Sequence, residues 1–372
     1  MICANLAWNL VNFRAGLIRA LVAGGFRVIA VAPPDAAMAA RLEALGCTFE
    51  PAPIDAMGLN PLRDLATFLA LRRLVRRHRP AAWLSWTIKP NVYGALAAGL
   101  EGVPAIPNIS GLGTAFIRRN LLTALVKSLY RFCLRRAPTV FFQNAEDRDL
   151  FLDMGLVRAG QARLLPGSGI DPEEWRPADA ARPARGHFLM LARVVADKGV
   201  REFADAARRL RARHPQARFT LMGFLDVANR TAISADEVRG WEAEGLLAYE
   251  PPVDDVRPAI AGADFIVLPS YREGLSRVLL EAGALARPCV TSDVPGCRDI
   301  VRDGENGFLC LPRDAEALER AMEGALAIDD AGWQAMARAA RDRVMRDFSL
   351  DKVTDLYQQA LADAGVRSGS AA

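Results

Sequence analysis

FIVLPSYREGLSRVLLEAGALARPCVTSD, residues 265–293, holds the pattern from which the fold follows. FIVLPS is a short apolar run ending in Pro269 and Ser270, the signature of a buried strand. Glu273 and Gly274 supply a turn, an apolar helical stretch follows, and PCVTSD (288–293) opens a second strand. Two carboxylates, Glu273 and Glu281, stand in this segment eight residues apart. Burying an unpaired carboxylate costs several kcal/mol, so each requires a reason.

The same alternation runs outward in both directions. Ahead of it, FLML (188–191), RFTLMG (218–223) and LLAYE (246–250) read as strands, and GFLCLP (307–312) follows it. In the front half, RVIAVAP (27–33), AAWLSW (81–86), PAIPNIS (104–110), TVFFQN (139–144) and RLLPGSG (163–169) read the same way. Helical stretches lie between them, among them residues 61–79 and 118–136. Strand–helix alternation predicts an α/β chain with doubly wound parallel sheets. DPEEWRPADAARPARG (171–186) is rich in proline and charge, so the expected division is 1–169, a linker at 170–187, and 188–345. Residues 346–372 are expected to form a helix that packs back on the first domain, with a frayed tail from Ser368. Two such sheets are expected to face each other across a ligand cleft at the carboxyl ends of their strands. The first strand, ICAN (2–5), is short, which leaves a start upstream of Met1 open.

The chain of 372 residues is 51% hydrophobic and 24% charged, a globular composition with material for two cores. No apolar run reaches the length of a membrane span, and MICANLAWNLVNFR (1–14) lacks the features of a secretion signal. The six cysteines (3, 47, 133, 289, 297 and 310) follow no metal or disulfide spacing and read as reduced core thiols of a cytoplasmic protein. Residues 1–169 hold 20 Lys and Arg against 10 Asp and Glu, a net of +10; the remainder hold 27 against 33, a net of −6. A basic front half is expected to meet an anionic partner. Only four basic residues are lysine (89, 127, 198 and 352), so each marks a place where a compact ammonium is chosen over arginine.

Helix amino ends carry free N–H groups, which makes Gly274, Leu275, Ser276 and Arg277 a candidate anion site. A helix running on from Glu273 would carry Glu281 about 12 Å further, roughly the span of a nucleotide sugar. Glu281 would then take the ribose diol and Glu273 the sugar. The spacing equally suits Glu273 as a dipole partner and Glu281 as a face residue, and by itself does not choose. LARVVADKGVREF (191–203) puts Arg193 and Lys198 between a strand and a helix, in reach of a diphosphate or simply solvated around a turn.

Arg193 with Lys198 and Gly199, then E-x7-E in LPSYREGLSRVLLEAGALARP, then TSDVPGCRDIV (291–301), together resemble the retaining family-four glycosyltransferases of the GT-B fold. The resemblance spans essentially the whole chain. TIKPNVYGALAA (87–98), PNISGLGTAF (107–116) and VFFQNAED (140–147) are similar to the bacterial members that extend undecaprenyl-diphosphate-linked sugars, of the N-acetylgalactosaminyltransferase type. The resemblance implies that Arg193 and Lys198 bind the donor diphosphate, that Glu273 contacts the donor sugar and that Glu281 contacts the ribose. It further implies a UDP-sugar donor, a lipid-linked saccharide acceptor and retention of configuration; no metal is expected, because Arg193, Lys198 and a helix end already meet the phosphate charge. Two positions depart from the family. WNLVNFR (8–14) replaces a glycine-rich loop, and none of His78, His187 or His214 stands where some members carry a site histidine, so no general base is assigned.

Lys89 is a candidate for an acceptor or donor phosphate, and Gly111 and Gly113 for close backbone approach, although a plain turn fits them as well. Asp147 and Asp149 mimic a metal-binding D-x-D but suit a helix start, and are not assigned to a metal. The helix at 118–136 carries Leu122, Leu125, Leu129 and Phe132 near one stripe and Arg119, Lys127, Arg131, Arg135 and Arg136 elsewhere. It reads either as a core-facing helix with a basic back or as one lying on an anionic leaflet. The front-half charge favours the second reading, hence a peripheral protein on the inner face of the cell membrane. No nucleic-acid motif is present. Base selection is expected near Pro251 to Asp255. The alternatives are a UDP-N-acetylhexosamine 2-epimerase-like isomerase and a non-catalytic sugar-nucleotide-binding partner.

Overall fold

The computed structural model describes residues 1–55, 60–111, 121–177, 182–183, 185–225, 227 and 229–367. They divide into two compact units, Met1–Gly169 with Leu350–Ala372, and Ile170–Ser349.

The first unit is built on a seven-stranded sheet. Its strands are β1 (Ile2–Cys3), β2 (Ile29–Ala32), β3 (Thr48–Pro51), β4 (Trp83–Trp86), β5 (Ala105–Ile109), β6 (Val140–Phe142) and β7 (Ala162–Leu164). They lie in the order β3-β2-β1-β4-β5-β6-β7, and every neighbouring pair is parallel. Alternation of side chains along a strand explains why the runs are continuously apolar: Ala30 and Ala32 of β2 enter one core, Ile29 and Val31 the other. β1 has only two residues yet is central, paired on both sides. β3 was invisible to hydrophobic pattern because TFEP sits at the sheet edge, where a half-exposed strand tolerates glutamate and proline.

The second unit has six strands, β8 (His187–Leu191), β9 (Arg218–Met222), β10 (Ala248–Glu250), β11 (Phe265–Leu268), β12 (Cys289–Ser292) and β13 (Gly307–Cys310). Their order is β10-β9-β8-β11-β12-β13, again parallel throughout. Phe188 and Met190 of β8 face one helical layer with Phe265 and Val267 of β11, while Leu189, Ile266 and Leu268 face the other.

Residues 170–177, 182–183 and 185–187, within the stretch whose composition reads as a linker, are part of the second unit. Trp175 is buried in its core, and Arg182 makes two hydrogen bonds to the fully buried Asp264, at 2.8 and 3.0 Å. Proline and charge break regular structure here without freeing the segment, because one indole and one bidentate pair hold it down. At the other end the helix Asp330–Asp347 packs on the second unit, and the helix Leu350–Asp363 on the first. In that helix Tyr357 is wholly buried, its hydroxyl accepting from Asn108 Nδ2 at 3.1 Å and its ring 5.0 Å from that of Phe141. Residues 368–372, which include the expected frayed tail, lie outside the described residues.

Candidate functional site

The chain of the second unit moves outward from β8 through β9 to β10, then returns to β11 on the other side of β8. In a parallel sheet covered by helices, loops leaving such a reversal diverge to opposite faces and leave a crevice at the carboxyl ends of the two strands. Lys198 follows β8, and Glu273 follows β11.

Three loops are knitted together there. After β8 a short turn, Ala196–Lys198, ends at Gly199, whose φ is +77°. A Cβ on Gly199 would stand 2.1 Å from the Pro269 carbonyl oxygen, so only glycine lets the two loops lie this close. The Tyr271 N–H donates to the Asp197 carbonyl at 2.9 Å. From the loop after β12, the carbonyls of Pro295 and Gly296 accept from the N–H groups of Glu273 and Ser276 at 3.3 and 3.1 Å. Held in this way, Glu273 receives two donors on Oε1: the Lys198 ammonium, and the Ser270 hydroxyl at 2.6 Å. Both members of the ion pair are partly buried, which keeps water from screening them fully.

The helix begins later than the sequence implies. Ser276 is its cap, the hydroxyl accepting from the Leu279 N–H at 3.4 Å, and the helix runs Arg277–Ala284. The separation drawn from a helix starting at Glu273 is therefore corrected: only the last part of the path to Glu281 is helical. Glu281 lies one turn in and accepts from Arg277 Nε at 2.7 Å. Burial pushes its carboxyl above the ordinary carboxylate range, with the Arg277 guanidinium opposing the shift. Arg277 also lies over the Trp175 ring, 5.8 Å from its centroid. Leu275 packs on the core, and the Gly274 carbonyl lies against Gly296, where a Cβ would meet it at 2.6 Å.

Lys198 and Glu273 are thus brought together, and Glu281 is joined to Arg277. Arg193 is exposed two residues after β8, and its side chain makes no hydrogen bond or ion pair among the described residues. In the first unit Lys89 lies 2.6 Å from Asp64 Oδ1, and Tyr93 donates its hydroxyl to Asp64 Oδ2 at 2.9 Å. Gly111 follows β5 with φ +143°, and Gly113 lies outside the described residues. The loop Pro251 to Asp255 follows the edge strand β10, with Asp255 gripped by Arg257 at 2.8 and 2.9 Å.

Two contributors escaped the sequence reading. Ser270 supplies the second donor to Glu273, and Tyr271 ties the loop down through its hydroxyl, which donates to Glu202 at 2.7 Å, with the Arg313 guanidinium 4.6 Å from its ring centroid. A hydroxyl three residues before Glu273 was the available signal. The histidines take local partners: His78 with Glu50 at 2.8 Å, His187 with Thr220 at 3.0 Å and His214 with Glu323 at 3.3 Å. Asp147 donates its N–H to the Asn144 cap at 2.8 Å, and Asp149 accepts from Arg148. Among the described residues no three His, Cys, Asp or Glu side chains group as metal ligands, and no helix is long and apolar enough to cross a membrane. In the helix Leu121–Leu134, Tyr130, Cys133 and Leu134 are buried and Leu129 half-buried, whereas Phe132 is 64% exposed beside the exposed Arg135 and Arg136. Phe132 accordingly parts from Leu129, with which spacing grouped it in one stripe.

Residues 12–167 match a family model described as Glycosyl transferase 4-like domain, and residues 185–327 one described as Glycosyl transferases group 1. The N,N'-diacetylbacillosaminyl-diphospho-undecaprenol alpha-1,3-N-acetylgalactosaminyltransferase of Campylobacter jejuni is 25% identical over 372 residues, covering 95% of this chain and 96% of that protein. The UDP-Gal:alpha-D-GlcNAc-diphosphoundecaprenol alpha-1,3-galactosyltransferase of Escherichia coli is 23% identical over 316 residues, 80% of each chain. Anabaena Alr3699/HepE, crystallised in complex with UDP-glucose, matches with a TM-score of 0.80 at 18% identity, over 97% of this chain and 98% of that one.

Proposed function

The chain is a glycosyltransferase of the GT-B fold, belonging to the family of those two domains, and from that premise we propose that it moves a hexose or N-acetylhexosamine from a UDP-linked donor to a lipid-linked saccharide with retention of configuration. The observation that carries this reading is the Lys198–Glu273 pair at the β8–β11 reversal. As the sugar departs, charge grows on the diphosphate. Lys198, Arg193 and the positive amino end of the helix Arg277–Ala284 oppose that charge without a metal ion. Glu273 accepts from sugar hydroxyls and, by holding Lys198, keeps the ammonium poised until the donor arrives. Glu281 accepts from the ribose diol. Lys89, Gly111 and Gly113 are assigned to the acceptor. Rate then comes from orienting the acceptor hydroxyl and stabilising the leaving group.

The lipid-linked acceptor is supported by the names of the two bacterial relatives, and the UDP donor by the HepE complex. Such an acceptor requires work at the inner membrane surface, as a peripheral protein. The test is transfer from a panel of UDP-sugars to an undecaprenyl-diphosphate-linked saccharide, with the product's anomeric configuration read by NMR. Acceptor-dependent transfer with retention is expected. An epimerised UDP-sugar formed without acceptor would overturn the assignment in favour of an isomerase.

A further inference from the structure

The helix Pro61–His78 in the first unit buries Thr67, Leu71 and Val75. Its opposite face is apolar where a soluble helix is ordinarily polar. Leu62, Leu65 and Leu69, spaced to share a stripe, are 77%, 52% and 40% exposed. The same stripe continues into exposed Arg73, Arg76 and Arg77. No Asp or Glu lies on this outward face: the helix's one acid, Asp64, is turned to Lys89 and Tyr93. The acids that neighbouring elements offer to Arg76 and Arg77, namely Glu101 and Glu50, are only 21% and 16% exposed, against 66% and 70% for the arginines. Arg63, at the flank, is 3.5 Å from Asp55. Arg73 has no partner among the described residues.

We propose that this face docks the protein on an anionic membrane surface, with Leu62, Leu65 and Leu69 entering the boundary between headgroups and chains and Arg73, Arg76 and Arg77 on lipid phosphates. The charge pattern selects this occupant: leucines followed by cations, with no acid among them, match an anionic interface rather than a mixed-charge protein surface. The helix's amino end also follows β3, so the leucines stand toward the carboxyl edge of the sheet, the edge from which Lys89 and Gly111 emerge. A lipid-linked acceptor would therefore enter from the docked side. This step rests on the lipid-acceptor reading above.

The experiment is flotation of the full chain with vesicles of equal parts phosphatidylglycerol and phosphatidylcholine. Binding is expected, weakened roughly tenfold by Leu62→Ser/Leu65→Ser/Leu69→Ser, several-fold by Arg73→Glu, and several-fold by pure phosphatidylcholine. The variants alter exposed side chains, and circular dichroism checks that they fold. Unchanged flotation of the triple variant would overturn the proposal, as would a wild-type dimer that the triple variant dissolves while neither protein floats. Transfer to a short-chain, water-soluble lipid-diphosphate saccharide separates the two readings. The triple variant should retain it, and its absence in wild-type protein that still floats would count against the acceptor rather than the docking face.

Discussion

Each unit contains a lysine, a carboxylate and a hydroxyl in contact, Lys198–Glu273–Ser270 in the second and Lys89–Asp64–Tyr93 in the first. Chemically they are near twins, and both lysines are rare in this arginine-rich chain. Their positions differ. Lys198 and Glu273 come from loops that leave neighbouring strands at a reversal of strand order, where the fold leaves a crevice. Lys89 also follows a strand at a reversal, β4 beside β1, but Asp64 reaches it from the helix after the edge strand β3, so this pair joins two helices packed on one side of the sheet, Pro61–His78 and the helical run leading into Ala95–Leu100. The first arrangement can exchange an internal partner for a ligand; the second ties two helices together and so holds Lys89 in place for the acceptor. Residue type does not separate them, and topology does.

The largest effect of that contrast falls on catalysis. Lys198→Ala and Glu273→Gln should each lower turnover roughly 100- to 1,000-fold in proteins that circular dichroism shows to be folded. Near-normal turnover in both variants would remove the crevice from the mechanism. Next comes stability: Lys89→Met leaves Asp64 without its cation and should cost about 2 kcal/mol in urea unfolding, with donor KM unchanged and acceptor KM raised. Full stability with lost donor binding would make the two clusters functionally alike.

A third effect concerns Glu281. Its folded pKa is raised by burial, so its ionisation opposes folding as pH rises through that value, and the unliganded protein gains relative stability below it. Donor binding uses the carboxylate and should strengthen over the same rise. Glu281→Gln should flatten both profiles and raise donor KM about tenfold, a loss near 1.4 kcal/mol. The smallest effect is at His187, whose pKa burial lowers. Its neutral form favours the folded state, so that contribution is complete above the ordinary imidazole range and is lost as pH falls through the folded value. His187→Gln should reduce the acid sensitivity of the second unit, read by unfolding at neutral and mildly acidic pH.

Strands with buried faces were legible in the sequence because apolar continuity is a local property: FIVLPS and PCVTSD contain β11 and β12, and RVIAVAP contains β2. TFEP was not legible, since an edge strand needs no such continuity. The site was legible as a set of residues but not as contacts. Glu273 and Glu281 read as one helix because hydrophobic spacing continues past Glu273, whereas loops from β12 hold Glu273 to Ser276 out of the helix. Trp175 and Arg182 looked like linker residues because composition records proline and charge but not the Asp264 carboxylate that awaits Arg182.

Local pattern sets the parallel α/β alternation, the two charge-contrasted halves and the placing of Lys198 and Glu273 just beyond buried strands. Near neighbours encode each of these. Long-range packing alone brings Lys198 to Glu273 across 75 residues, holds Lys89 at Asp64, and leaves Leu62, Leu65 and Leu69 outside the core. Those outcomes depend on which strands lie side by side and which helix face is covered, and packing of distant segments sets both.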